Sequence, residues 1–394
     1  MTELLRIIEA FEQGQMESPP VLATVVKTTG STYRRPGARM LMTPSGQVVG
    51  AVSGGCLERD VMRQAQRVFH SGRSRLVTYD STADDEIRWG LGLGCNGTVH
   101  VLLEEMHDGA QIEFLARCQR ERRGGVLAKI FAVNGAIEAN PGDCLWLGDG
   151  FAAQSNIGEA ALTDAVLADA MDVLEAGKSL VKLFETKTGR AEVFIEVIRP
   201  PVPLVIFGGG HDAVPLARIA KDLGWHVTIV DGRPGYASRA KFPAVDALIA
   251  ARPETISNRV PIDDRSIAVV MNHNYLDDLA TLRALLPTPL TYIGLLGPRR
   301  RTEKLLEDIE EEGAPMPSQW RSRIYGPVGL DIGADTPEEI AVAVVAEITA
   351  VLAGRAGGLS RDRNGPLHCD EHHHGQVDGD PGIVACSSAC RNVA

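Results

Sequence analysis

The sequence predicts an α/β chain: a first half of small strands and a few helices, α+β in class, and a second half built as a doubly wound parallel sheet. Three observations carry this expectation. Before position 199, β-branched and apolar runs are separated by hairpin-type turn signals. After position 203, short apolar strands alternate with helical stretches, the pattern of repeated βαβ units. Between them stands Arg199-Pro200-Pro201-Val202-Pro203, where proline removes backbone donors and fixes a dihedral. At 394 residues the chain exceeds the size at which one hydrophobic core stops growing. The expected division is 1–199, 200–358, and a tail at 359–394.

Leu4, Leu5, Ile7, Ile8 and Phe11 recur at helical spacing, and Val21 to Lys27 then reads as a strand bounded by Pro19-Pro20 and Gly30. Arg39 to Met42 and Val48 to Val52 flank Thr43-Pro44-Ser45-Gly46 and predict a hairpin. Further strands are expected at Leu76 to Tyr79, Thr98 to Leu103, Val126 to Val133 with a turn at Asn134-Gly135, and Ala191 to Val197. Helices fit Leu57 to Phe69 and Gln111 to Gln119. In the second half, strands at 204–207, 226–230, 247–249, 266–271 and 290–293 alternate with helices at 213–223, 276–286, 300–311 and 337–352. From about Leu359 the composition turns to Gly, His, Asp, Cys and Ser without periodicity, as in a loosely ordered tail.

A formal charge of −11 argues against nucleic acid and anionic membrane surfaces as partners. No basic stretch, apolar run and small-residue cleavage site opens the chain, and the apolar segment Ile340 to Leu352 is too short to span a bilayer. A cytoplasmic protein is expected. Seven cysteines, an odd number, read as reduced thiols rather than a disulfide framework.

Leu204-Val205-Ile206-Phe207 runs into Gly208-Gly209-Gly210-His211-Asp212-Ala213 and then a helical pattern, a G-x-G-x-x-A arrangement between strand and helix. Gly208 permits the tight turn, Gly210 lets the main chain approach a pyrophosphate, and Ala213 allows close helix contact. The next strand leads to Asp231, 23 positions after Gly208, close to the roughly 20 expected for a carboxylate that binds an adenosine ribose. NAD is thereby favoured over NADP, the alternative being a Rossmann scaffold without a ligand. His211 either leans over the phosphates or is simply exposed. Gly294-Leu295-Leu296-Gly297-Pro298-Arg299-Arg300-Arg301 opens another helix at the same sheet edge, so Arg299 and Arg300 are candidates for phosphate capture, or else a solvated turn paired with Glu303 and Glu307.

Ser53-Gly54-Gly55-Cys56-Leu57-Glu58 places Cys56 near a helix N-terminus, where the dipole favours thiolate. Leu91-Gly92-Leu93-Gly94-Cys95-Asn96-Gly97 sets Cys95 in a glycine-rich loop. Both are candidate reactive or metal-binding thiols, or else small buried residues; their separation of 39 positions fits no compact zinc pattern. Cys118 and Cys144 read as packing residues. Lys27, Arg34, Arg35 and Arg39 form either an anion-binding rim or scattered surface charge. His368, Cys369, His372, His373, His374, Cys386 and Cys390 crowd the tail without standard metal spacing.

Taken together, Ser53 to Glu58, Leu91 to Gly97, Phe207 to Ala213, Val230 to Pro234, Gly294 to Arg301 and the ordered string from Gly326 to Glu347 resemble the successive signatures of the XdhC/CoxI family of xanthine dehydrogenase accessory proteins, over about Met1 to Ala356. The resemblance implies an N-terminal family domain, a C-terminal Rossmann-like domain, and self-association as a homodimer. It also implies a factor that binds molybdenum cofactor (molybdopterin) as cargo, assists its sulfuration with a cysteine desulfurase as sulfur donor, and inserts it into a xanthine dehydrogenase-type molybdenum hydroxylase. By position, Cys56 and Cys95 would contact molybdenum or carry sulfur, while Gly208, Gly210 and Asp231 would bind the nucleotide or pterin-phosphate portion. Asn96 stands where the family pattern leads to glycine. The competing reading is an NAD-dependent oxidoreductase acting on a small molecule; the hydroxylase itself is excluded because the chain lacks the cysteine clusters of iron-sulfur centres.

Overall fold

In this computed structural model the described residues are 2–13, 19–81, 97–107, 109–311 and 316–362. Two compact units are present, Met1–Gly357 and Gly358–Ala394. The described part of the second carries one turn of 3-10 helix at Ser360–Asp362.

Within the first unit the chain begins α1 (Thr2–Gln13), β1 (Val21–Gly30), β2 (Arg39–Met42), β3 (Val48–Gly50), α2 (Glu58–Ser71), β4 (Arg75–Asp80) and β5 (Gly97–Glu105). Its strands form an antiparallel sheet in the order β3-β2-β1-β5-β4. It continues with α3 (Ala110–Arg120), β6 (Gly125–Gly135), β7 (Cys144–Gly148), β8 (Phe151–Ser155), α4 (Ala160–Ala176), β9 (Leu180–Glu185) and β10 (Gly189–Ile198), a second antiparallel sheet ordered β8-β7-β6-β10-β9.

Side-chain alternation stacks these elements into four layers, helix, sheet, sheet, helix. On β6, Val126, Ala128 and Ile130 join Leu162, Val166, Ala170 and Val173 of α4, whereas Phe131 on the opposite face meets Val26 and Leu102 of the first sheet. The outer face of the first sheet, through Val21, Ala23, Val25, Val101 and Leu103, is covered by Val61, Ala65 and Val68 of α2. Full burial of Leu162 or Val166 stabilises by roughly 1.5–3 kcal/mol each. Three ion pairs cross between the sheets: Lys27 Nζ to Glu192 Oε2 at 2.6 Å, Arg39 Nη1 to Glu196 Oε1 at 2.9 Å, and Lys129 to Glu104. The last is buried, with side chains 2% and 4% exposed, and Gln111 hydrogen-bonds both partners.

The second half contributes β11 (Pro203–Phe207), α5 (Ala213–Asp222), β12 (His226–Val230), β13 (Ala247–Ile249), α6 (Ile256–Arg259), β14 (Ile267–Val270), α7 (Tyr275–Leu285), β15 (Tyr292–Leu295), α8 (Arg299–Glu311), α9 (Ser318–Arg321), β16 (Ile324–Tyr325) and α10 (Pro337–Leu352). All its strands run parallel in the order β13-β12-β11-β14-β15-β16. The order reverses between β11 and β14, so the ligand crevice of such a sheet lies outside the carboxyl ends of those two strands. Helices α5 and α10 cover one face and α7 and α8 the other. Thr336 and Glu339 close a capping box at the start of α10, with Pro337 as its first residue.

The predicted helices and strands recur within about three residues, but in the second antiparallel sheet only β6 and β10 match predicted strands, and β8, α4 and β9 have no counterpart in the sequence expectation. The expected turn at Asn134-Gly135 is instead the end of β6, where Gly135 faces Gly189 so closely that a Cβ would stand 2.6 Å from the glycine Cα. The chain reverses farther on, at Asn140 to Asp143. Among the described residues no helix is long and apolar enough to cross a membrane.

Candidate functional site

At the carboxyl end of β11 the chain turns through Gly208 with φ +114°, and its amide donates to the Val230 carbonyl at 2.9 Å. A Cβ here would lie 2.7 Å from the Met271 carbonyl carbon, so only glycine fits between β12 and β14. Gly209 is fixed from two sides: its amide donates to Asp231 Oδ2 at 2.7 Å, and its carbonyl accepts from Lys241 Nζ at 2.6 Å. Gly210, half-buried, faces the ring of His273. His211 is exposed. Asp212 stands at the N-cap position of α5 without a side-chain capping bond, and its carboxylate sits 3.1 Å from His273 Nε2. Pro215 occupies the third position of α5, within the first turn where proline is tolerated.

Asp231 stands immediately after β12, as expected, and its side chain is 2% exposed. Its carboxylate is engaged by the chain itself. Oδ2 accepts from Gly209 N and from Arg233 Nη2 at 2.6 Å; Oδ1 accepts from Arg233 N at 2.8 Å and Arg233 Nε at 3.0 Å. Burial opposes its ionisation, but the hydrogen bonds from Arg233 and Gly209 outweigh that and hold the carboxyl below the usual range. The Arg233 guanidinium lies 3.9 Å from the Tyr236 ring centre.

Across the strand-order reversal, His273 follows β14 with φ +60°, a left-handed conformation uncommon outside glycine and concentrated at functional turns. The buried Asp278 carboxylate organises this loop: Oδ1 accepts from Asn272 N and Nδ2, both at 3.2 Å, and Oδ2 accepts from Arg301 Nη2 at 2.6 Å. Of the arginine triplet, it is Arg301 that turns inward. Arg299 is exposed and paired with Glu303 at 2.9 Å, and Arg300 is exposed. Sequence reasoning passed over Arg233, Lys241 and His273, and took Arg301 only as one of three guanidinium groups at the sheet edge. Arg233 could have been read from its place two residues beyond the strand-end acid.

In the first sheet's half, Cys56 is exposed and precedes α2. Ser53 builds its loop: the hydroxyl accepts from the amides of Gly55 and Leu57, each at 3.1 Å, and donates to Glu58, while the Ser53 amide donates to Glu58 Oε1 at 2.8 Å. Glu58 and Asp60 already face the positive end of the helix. Cys95 lies outside the described residues, as do the histidines and cysteines of the tail. The roots of the segment that carries Cys95 are described. Ser81 and Gly97 are hydrogen-bonded to each other, and a Cβ on Gly97 would stand 2.7 Å from the Ser31 carbonyl oxygen, while Gly54 rests against the ring of Tyr33. The short stretch from Ser31 to Tyr33 thus lies against both Gly54 and Gly97. Of the four cations considered as a rim, Lys27, Arg34 and Arg39 are paired with Glu192, Glu3 and Glu196. Cys118 and Cys144 are buried, and burial pushes the Cys118 thiol up to about 12. Among the described residues no group of three or more His, Cys, Asp or Glu is placed to hold a metal ion.

Comparison with known proteins agrees with this geometry. Residues 204–348 match the model of the XdhC Rossmann domain, and residues 15–80 that of the XdhC and CoxI family. The chain is 36% identical over 344 residues to a Bacillus subtilis protein named as a probable xanthine dehydrogenase subunit, covering 87% of this chain and 95% of the relative. It is 24% identical over 347 residues to the Escherichia coli molybdenum cofactor insertion chaperone PaoD, covering 87% and 86%. A crystal structure described as a xanthine dehydrogenase from Bacillus halodurans superposes with a TM-score of 0.73 at 28% identity, covering 90% of this chain and 97% of that one. With the matched sheet, glycine loop and cysteine loop in place, the chain belongs to the XdhC and CoxI family.

Proposed function

We propose that the chain is a maturation factor that binds molybdenum cofactor, assists its sulfuration and inserts it into a xanthine dehydrogenase-type molybdenum hydroxylase. The observation that carries this reading is similarity along nearly the whole length to relatives named for xanthine dehydrogenase and for cofactor insertion. Cys56, exposed at the head of α2, and Cys95, two positions before the anchored Gly97, are the thiols that would meet the metal or carry sulfur. Soft sulfur donors match the dithiolene environment molybdenum already has. The crevice around Gly208, Gly210, His211 and Asp231, with Arg299 and Arg300 at its rim, would receive a nucleotide or the pterin-phosphate end of the cargo. A cysteine desulfurase as sulfur source, a homodimer and a cytoplasmic setting complete the proposal.

Molybdenum-cofactor content after anaerobic co-purification from a cofactor-producing host tests it, with wild type beside Cys56→Ala and Cys95→Ala. Cofactor in the wild type, lost in either variant, supports the reading and locates the site. No cofactor in any sample, while a control carrier is loaded, sinks it. The reading would then pass to a nucleotide-dependent oxidoreductase, which the strand order and glycine loop of the second half favour.

A further inference from the structure

The corner of the crevice beyond β12, where a bound dinucleotide places its adenosine ribose, is built differently from a site that grips ribose hydroxyls. A carboxylate offers about four lone-pair sites. Those of Asp231 receive four donors, one from Gly209 and three from Arg233, and its side chain is 2% exposed. No acceptor is left over for a ribose hydroxyl.

What this corner presents instead is cationic. Arg233 is 38% exposed, and among the described residues its Nη1 has no hydrogen-bond partner. Its guanidinium is clamped between the buried carboxylate and the Tyr236 ring. Lys241, bound to the Gly209 carbonyl, lies 5.5 Å from the same ring, and the exposed Arg252 runs past Gly232. Asp277 is a further acid whose charge acts on Arg233. A planar guanidinium held rigid over an aromatic face, with an ammonium nearby, suits a phosphate monoester, which carries about −1.5 to −2 charge at neutral pH.

We propose that Asp231 is a positioning residue for Arg233, and that Arg233 with Lys241 takes a phosphate on the adenosine ribose. The crevice then selects a dinucleotide of the NADP class over NAD, the reverse of what an acid at position 231 suggests in the sequence. This rests on the reading that the crevice receives a nucleotide. Calorimetric titration of the full chain with NADP+ and with NAD+ tests it. NADP+ is expected to bind about tenfold tighter or more, the worth of one charge-assisted hydrogen bond. Arg233→Gln should erase that ratio, Arg233→Lys should restore part of it, and Lys241→Ala, which leaves the Asp231 pair intact, should reduce it. Equal or tighter binding of NAD+ by the wild type, or a preference for NADP+ that survives Arg233→Gln in a folded protein, overturns the proposal alone. Binding of neither dinucleotide overturns the nucleotide reading with it.

Discussion

Two glycines of one loop should respond in opposite ways to the same methyl group. Gly208 holds φ +114°, and a Cβ there would lie 2.7 Å from the Met271 carbonyl carbon and 2.9 Å from the Asn272 nitrogen. Neither backbone group can retreat cheaply, because Met271 N donates to the Phe207 carbonyl at 2.8 Å and Asn272 N to the buried Asp278 at 3.2 Å. Backbone strain of about 1–3 kcal/mol and overpacking of about 1–3 kcal/mol put Gly208→Ala at roughly 2–6 kcal/mol of lost stability. At Gly210 the nearest atoms to an added Cβ are those of the His273 ring, at 3.4 and 3.5 Å, an ordinary contact, and φ is not left-handed. Gly210→Ala should therefore fold within about 0.5 kcal/mol of wild type. If the loop amides approach a pyrophosphate, that methyl group fills the approach, and binding of NADP+ or NAD+ should weaken by about tenfold or more, or 1.4 kcal/mol. Denaturant titration and calorimetry on both variants separate the two effects. A Gly208→Ala protein as stable as wild type would refute the steric argument, and a Gly210→Ala protein that binds normally would refute the placement of the ligand.

The buried ion pair between the sheets should behave as one unit. Glu104→Ala strands the Lys129 charge at 2% exposure and should cost about 3–5 kcal/mol in a denaturant melt, whereas Glu104→Leu combined with Lys129→Met removes both charges and should cost only the stranded Gln111 amide, about 1–3 kcal/mol. Alkylation of the native protein, mapped by mass spectrometry, should modify Cys56 readily and leave Cys118 and Cys144 untouched, since both are buried and Cys118 titrates only near 12. Because hydrogen bonds from Arg233 and Gly209 depress the folded-state pKa of Asp231, its contribution is present above the unfolded value of about 3.9 and is lost as pH falls through the lower folded value. Acid melts below about pH 4 should show wild type converging on Asp231→Asn, and a constant gap between them would contradict the assignment.

The parallel half was readable because its central strands are buried on both faces and spell nearly continuous apolar runs: Leu204 to Phe207, Val227 to Val230 with Thr228 as the one polar residue, and Ile267 to Val270 are all buried. The second antiparallel sheet was harder. β8 is almost wholly exposed, β9 buries only Phe184, and the reversal after β6 comes at Asn140 to Asp143 rather than at Asn134-Gly135. Helix α4 was legible in principle: Leu162, Val166, Ala170 and Val173 follow at intervals of four, four and three and are its buried residues. Its many alanines blur that stripe, since they read equally well on either face.

Position in the sequence located the parts of the crevice, but charge pairing decides what each part offers. Asp231 and the arginines after β15 stand where the strand-turn-helix pattern puts them, yet one acid is consumed by Arg233, and another, Asp278, draws Arg301 inward while Arg299 turns to Glu303. No pattern of spacing distinguishes a free carboxylate from a saturated one, because the donor that saturates it arrives through a backbone turn, here the bend that lets Arg233 bond Asp231 through both main chain and side chain. The same holds at the first sheet, where Arg39 reads as a surface cation and is 6% exposed against Glu196, 157 positions away. A binding site inferred from residue type alone therefore errs most where charges are dense, since that is where the chain has the most ways to satisfy itself.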